Sequence, residues 1–263
     1  MALLPARPAA TATGDWVQVD LTATLSQVRR LYPEIARIAR EWLRGEVITE
    51  FFFMHKPPGL RVRFAACGEH ASAVRTEFLL HALGWRDAGF ISDAQPASYI
   101  PEESRFGGSE AMHHVHRLFT VDALTWLDLH TQQSKTPAWR LSMAMLRQVV
   151  PIGVDCAVWR AVAAAGRQCP ADAPVTAHAA AGLRALWDRP AALRTALPAA
   201  ALALVDRHAA LIGSLIPRWQ ATPDALAWYV IFHWNRAALG LGTQILISTA
   251  LGASRPRGND DVR

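Results

Sequence analysis

Three short stretches of this chain place acids, guanidinium groups and a titratable ring at spacings that could do chemistry. Tyr99-Ile-Pro-Glu-Glu-Ser-Arg-Phe-Gly-Gly108 sets Glu102 three residues before Arg105 and ends on two glycines. A carboxylate can move a proton, and a guanidinium can hold a carboxylate or polarise a carbonyl. Leu60-Arg-Val-Arg-Phe64 alternates in the manner of a strand, so Arg61 and Arg63 project together from the face opposite Leu60, Val62 and Phe64. His233-Trp-Asn-Arg236 adds an imidazole, an amide and a guanidinium near the end. Taken singly, each has an ordinary explanation: a turn with a solvated Glu102–Arg105 salt bridge, a solvent-facing strand, a buried polar pair. His113 and His116 stand at i and i+3, but no carboxylate has matching spacing. An outward-facing pair is expected there rather than a metal site.

The elements that must position these residues follow from periodicity. Asp15 to Leu21 alternates as a half-buried strand, and Leu25 to Gly45 carries an apolar stripe through Val28, Leu31, Ile35, Ile38 and Trp42, with Pro33 expected to bend the helix. Ile48 to His55, with Phe51, Phe52 and Phe53, predicts a central strand. Lys56-Pro-Pro-Gly59 predicts a turn in which Gly59 tolerates positive φ. A helix is expected over Glu69 to Leu83, ended by Gly84, then a short strand or hairpin between Trp85 and Tyr99. Pro101 keeps Ile100 extended, and Gly107-Gly108 permits a sharp turn before a helix from Ser109. Beyond Pro137 strand signals vanish, and segments 139–149, 153–166, 175–187, 197–215 and 223–250 have helical composition. Thr222-Pro-Asp-Ala is a strong helix start, and Gly240 and Gly242 are placed to break the last segment. The fold class is therefore α+β: a mixed sheet with flanking helices, then a largely helical second half. We expect one catalytic domain over 14–252, a disordered lead-in over 1–13 and a disordered tail over 253–263.

Bulk composition narrows the function. The 263 residues carry a formal charge of +5, yet lysine occurs only at 56 and 135 and the arginines are scattered. Without a basic run interleaved with aromatics, nucleic acid is not an expected partner. Cys67, Cys156 and Cys169 lack the pairing and CxxC spacing of a disulfide framework or zinc knuckle, and suit a reducing cytoplasm. Asp224 to Ala250 is apolar enough to suggest a membrane span, but His233, Asn235, Arg236 and Gln244 would be costly in lipid, which favours a buried helix pair and no membrane.

Phe53-Met-His-Lys-Pro-Pro-Gly-Leu-Arg-Val-Arg-Phe64, the Tyr99–Gly108 string with Phe119-Thr-Val-Asp122 behind it, and His233-Trp-Asn-Arg236 together resemble one family. It is the C-terminal elimination domain of lantibiotic dehydratases, also found free-standing as thiopeptide-type bacteriocin biosynthesis proteins. The resemblance implies modification of a ribosomal precursor peptide. In eliminating members a glutamylated Ser or Thr loses glutamate: arginines of the LRxR strand hold the departing carboxylate, the YxPExxR segment adds an acid and an arginine, and a late-helix histidine assists proton transfer. Arg61, Arg63, Glu102 and Arg105 match that pattern.

The histidine departs from it. The pattern puts it four residues before the asparagine of the Asn-Arg pair, where this chain has Ile231; His233 is two residues away, about 200° around a helix. Ala123 likewise stands where a serine usually follows Asp122. This departure resembles the pyridine-synthase branch of the family, which joins two dehydroalanines of a dehydrated, azole-containing core by formal aza-(4+2) cycloaddition, losing water and the leader peptide. On that reading His233, Glu102, Tyr99 and Arg105 are the expected catalytic groups, and Arg61, Arg63, Arg236 and Asn235 bind the peptide. No metal or other cofactor is expected, and the partners are the precursor peptide and other pathway enzymes. A split eliminase and a non-catalytic leader-binding protein are the alternatives.

Overall fold

A computed structural model describes residues 15–132, 136–167 and 177–253; the expected lead-in, and the expected tail beyond residue 253, lie outside the described residues. Alternating residues produce β1 (Trp16–Thr22), β2 (Ile48–Lys56), β3 (Gly59–Ala66) and β4 (Asp93–Ala97), with α1 (Leu25–Arg44) between β1 and β2 and α2 (Ala71–Asp87) between β3 and β4. The four strands form one antiparallel sheet in the order β2-β3-β1-β4, so the first half is a β-α-β-β-α-β unit of ferredoxin-like order. Both helices cover one face: Trp42 of α1 and Phe78 of α2 meet Phe64, and Tyr32 meets Phe53. Val17, Val19, Leu21, Phe51, Leu60 and Val62 complete this buried layer.

Strand period two sends the other set of side chains to the opposite face. There Arg63 stands across from Gln18 on β1 and Phe52 on β2, and Arg61 across from Asp20 and Met54. The helical half packs over the β2 side of this face and leaves the β1–β4 side open. It comprises α3 (Glu103–Phe106), α4 (Ser109–Thr131), α5 (Ala138–Val149), α6 (Asp155–Ala164), α7 (Ala177–Asp188), α8 (Pro190–Thr195), α9 (Ala199–Ile212), α10 (Pro223–Arg236) and α11 (Leu241–Gly252). α4 and α10 lie against β2, and the buried side chains of both halves form one contiguous core. Thr222 caps α10 by accepting from the Ala225 amide, as Thr-Pro-Asp-Ala predicts.

Several expectations are corrected. β2 is an edge strand, not a central one; its apolar character reflects α4, whose Thr120 hydroxyl accepts the Phe51 amide at 3.0 Å and covers the edge. α1 runs through Pro33, and α2 continues past Gly84 to Asp87 because a surface glycine weakens a helix without stopping it. Gly59 is required by proximity, not by φ: a Cβ there would lie 2.0 Å from the Leu21 carbonyl oxygen. Positive φ is used instead at Gly107 and Gly108, both +100°, which turn the chain from α3 into α4. The 224–250 stretch, by contrast, is the expected pair of helices, parted at 237–240. The segment expected to be helical over 175–187 is so from Ala177, its first two residues lying outside the described ones.

Candidate functional site

The β3 arginines occupy two different environments. Arg63 is 4% exposed; its Nε donates to Gln18 Oε1 at 2.7 Å and its guanidinium lies 4.2 Å from the Tyr99 ring centroid and 5.0 Å from that of Phe52. Burial lowers its pKa, while Tyr99 and Glu102 oppose the shift; a guanidinium remains charged regardless. Its Nη1 is buried with no protein partner. A buried charged donor left open is a place for a carbonyl or carboxylate oxygen to bind. Arg61, two residues earlier and half-buried, faces Asp20 at 3.4 Å.

Tyr99 is delivered to this face by the chain leaving β4. Its ring packs edge-on against Trp16 and Phe52, and its hydroxyl lies 3.3 Å from Glu102 Oε2 and 2.9 Å from His116 Nε2. Burial, reinforced by the Glu102 charge, raises the Tyr99 pKa, so the phenol keeps its proton. Burial pushes His116 down to about 3, so this ring is neutral. Glu102 is the member of the trio nearest the open side, and Ile100 beside it is 81% exposed.

Arg105 does not pair with Glu102. The residues Glu103 to Phe106 form a helical turn that carries Arg105 away, and its guanidinium lies 4.0 Å over the Trp228 ring of α10. His116 is likewise not outward: only His113 is exposed, while His116 is 5% exposed among Trp16, Phe52 and Tyr99. The sequence held a signal for this, because the stripe Met112, Val115, Phe119 passes through position 116. Gln18 and Asp20 were also missed; their β1 parity was readable, but their pairing with Arg63 and Arg61 required the register.

His233 and Arg236 are placed elsewhere. Both are completely buried, on the far side of Phe119 from Arg63 and Tyr99, with the Arg236 guanidinium 4.4 Å from the Phe119 centroid and Phe119 5.2 Å from Phe52. They converge on Asp122 of α4: His233 Nδ1 lies 2.8 Å from Oδ1, Arg236 Nε bonds Oδ2, and His208 Nε2 approaches Oδ1 at 3.4 Å. Burial alone would raise the Asp122 pKa, but His233 and Arg236 overcome it and hold the carboxyl well below its usual range. Burial lowers the His233 pKa, so with Nδ1–H given to Asp122 its Nε2 accepts from the Ser142 hydroxyl at 3.0 Å. Ser142, His233 and Asp122 thus repeat the connections of a hydrolase triad. Ser142 is wholly buried and also accepts from Trp234 Nε1 at 3.1 Å, so the arrangement is sealed and joins α4, α5 and α10. His233 and Arg236, expected in catalysis and in peptide binding, thus lie in a fully buried network around Asp122 and not on the open sheet face with Arg61 and Arg63. Asn235 is partly exposed, and its backbone carbonyl accepts from His55.

Ile231 is three residues after Trp228 and four before Asn235, so the three share one face of α10, and Trp228 is the residue beneath Arg105. The side of α10 turned towards α3 therefore carries a buried isoleucine, 3% exposed, while His233 looks the other way. Among the described residues no cluster of three or more His, Cys, Asp or Glu side chains is set to hold a metal ion.

A family model described as Lantibiotic biosynthesis dehydratase C-term matches residues 16–248. The fold is similar to that of the tRNA dependent lantibiotic dehydratase MibB from Microbispora sp. 107891, with a TM-score of 0.57 and 17% identity over 94% of this chain. The match covers 29% of the MibB chain. No curated protein sequence matches this chain.

Proposed function

The chain belongs to the lantibiotic biosynthesis dehydratase C-term family, and on that premise we propose that it is a macrocycle-forming pyridine synthase acting on a ribosomal precursor peptide. One dehydroalanine, as the iminol tautomer of its amide, supplies four ring atoms, and a second dehydroalanine supplies two. Two carbon–carbon bonds form; water then leaves from the former amide carbon and the leader peptide leaves as an amide, giving an aromatic pyridine. The protein's main contribution is to hold two distant residues of a flexible peptide together. The open sheet face offers Arg61 and the unpartnered Arg63 Nη1 to carbonyl oxygens, and Glu102 to take and return the tautomerising proton. We place this reaction in the cytoplasm, in a single domain over 14–252, with other pathway enzymes as partners and neither nucleic acid nor membrane involved.

The observation that carries this reading is Ile231. An eliminase of this pattern needs a histidine there, on the α10 face shared with Trp228; the site has an apolar side chain, and His233 is locked to Asp122 and Ser142. Elimination of glutamate is the second reading, favoured by the vacant Arg63 donor beside Glu102, which suits a departing carboxylate. Mass spectrometry separates the two. Offered a leader-bearing azole peptide with two dehydroalanines, and in parallel a glutamylated peptide, the protein should convert the first to leader amide plus a pyridine macrocycle and leave the second intact. Glutamate release from the second alone overturns the proposal, and no change in either, with binding retained, points to a leader-binding role.

A further inference from the structure

Tyr99, His116 and Glu102 form a hydrogen-bonded trio running from the core to the open face. A phenol has one proton, and an ionised carboxylate only accepts. With the Tyr99 hydroxyl directed to Glu102 Oε2 at 3.3 Å, the 2.9 Å contact to His116 requires the imidazole Nε2–H to donate to the phenol oxygen. We propose that His116 is a positioning residue for Glu102: held as the Nε2–H tautomer, it fixes the Tyr99 proton on the carboxylate and so sets the orientation of the acid assigned to proton transfer. This rests on the assignment of Glu102 as the proton-transfer group, and it adds a residue outside the matched strings.

The surroundings support it. Trp16 from β1 and Phe52 from β2 pack on the His116 ring, with centroids at 4.4 Å and 6.0 Å. The charged or titratable groups acting on it are Arg63 of β3 and His113 of its own helix, both opposing protonation, with Tyr99 and Glu102 from the segment after β4. Burial keeps the ring neutral to about pH 3, so it donates a hydrogen bond without placing a second positive charge beside Arg63. Loss of His116 frees Tyr99 to turn its proton elsewhere and leaves the Glu102 carboxylate without a fixed hydrogen-bond partner.

The test pairs a spectroscopic readout with a kinetic one. In the 15N-histidine NMR spectrum of the whole protein, one ring should show a protonated Nε2 and an unprotonated Nδ1 down to pH 4, and Tyr99→Phe should shift that resonance. An Nδ1–H tautomer for this ring, assigned with His116→Gln, overturns the proposal whatever reaction the protein performs. On whichever peptide the wild type converts, His116→Phe should lower kcat at least tenfold with KM within about threefold. His116→Gln, whose side-chain amide can still donate to the phenol, should recover most of kcat. A folded His116→Phe protein with unchanged kcat, or a glutamine variant no better than phenylalanine, overturns the assignment. Conversion of the glutamylated peptide instead of the dehydroalanine peptide would change the reaction but not this test.

Discussion

His55 donates its Nδ1–H to the carbonyl oxygen of Asn235 at 2.8 Å, tying β2 to the C-terminal turn of α10, while its Nε2 accepts from the Tyr32 hydroxyl at 2.8 Å. His130 does the same for the next carbonyl, that of Arg236, at 2.9 Å. Two neutral imidazoles therefore satisfy backbone acceptors at a helix end, where the last four carbonyls have no partner within the helix.

This arrangement predicts acid lability. Burial lowers His55 to about 4 and His116 to about 3, both below the ordinary histidine value of 6.5. Above that value neither state binds these protons. Below it the unfolded chain takes up protons that the folded chain refuses, so stability falls progressively as pH drops from 6.5 towards 4 and 3. Each ring contributes roughly 3 to 5 kcal/mol to that loss. Thermal melts should show Tm level above pH 7 and declining steadily below 6.5, with a shallower decline in His55→Gln; a Tm independent of pH between 7 and 4 contradicts the assignment.

The Asp122 network predicts stability effects without chemical ones. Asp122→Ala leaves the Arg236 charge buried and unpaired, which costs about 3–5 kcal/mol. His233→Ala loses its bonds to Asp122 and Ser142 and opens a cavity, costing about 2–4 kcal/mol. Denaturant melts should register both losses, while turnover per folded molecule of His233→Ala stays near wild type. Abolished turnover in a stably folded His233→Ala protein would return His233 to the chemistry.

Arg63→Lys keeps the charge but loses the planar stack on Tyr99 and the Nε bond to Gln18. We expect kcat/KM to fall at least tenfold, about 1.4 kcal/mol of transition-state stabilisation, with Tm changed little. Arg61→Ala, whose partner Asp20 is half-exposed, should have the smaller effect. Steady-state kinetics on the converted peptide ranks the two, and an Arg61 effect exceeding that of Arg63 goes against the site drawn here.

Gly59→Ala should be far more damaging than a glycine-to-alanine change in a turn suggests. The new Cβ would sit 2.0 Å from Leu21 O and 2.8 Å from Ala23 N, both backbone atoms, so β3 and β1 must separate where their pairing begins. A loss of about 3 kcal/mol or more is expected, read as a lower denaturation midpoint. Gly84→Ala, with no atom within 4 Å, is the control and should be neutral or slightly stabilising.

Much of the local structure was legible because it depends on neighbours in the chain. Alternation at 60–64 put Arg61 and Arg63 on one face, the prolines at 57 and 58 marked the hairpin, and Thr222-Pro-Asp marked the start of α10. The rotation between Ile231 and His233 followed from helix geometry alone, and the two side chains do face different ways.

What the chain by itself could not set was partnership. Strand order made β2 an edge, because hydrogen bonding between strands depends on crossovers that periodicity does not encode. Glu102 and Arg105 are close in sequence, yet one meets Tyr99 and the other Trp228, because the helical turn between them carries Arg105 towards α10. His116 reads from its own helix as one polar residue among apolar ones, and Asp122 as an ordinary acid. Each acquires its role from residues distant in sequence: Trp16 and Tyr99 for the first, His208, His233 and Arg236 for the second. Residue types and local periods fixed which groups were present and which face of each element they occupied; whether a group was buried, neutral, paired or open to solvent was decided by packing, since desolvation and hydrogen-bond partners exist only once distant elements meet.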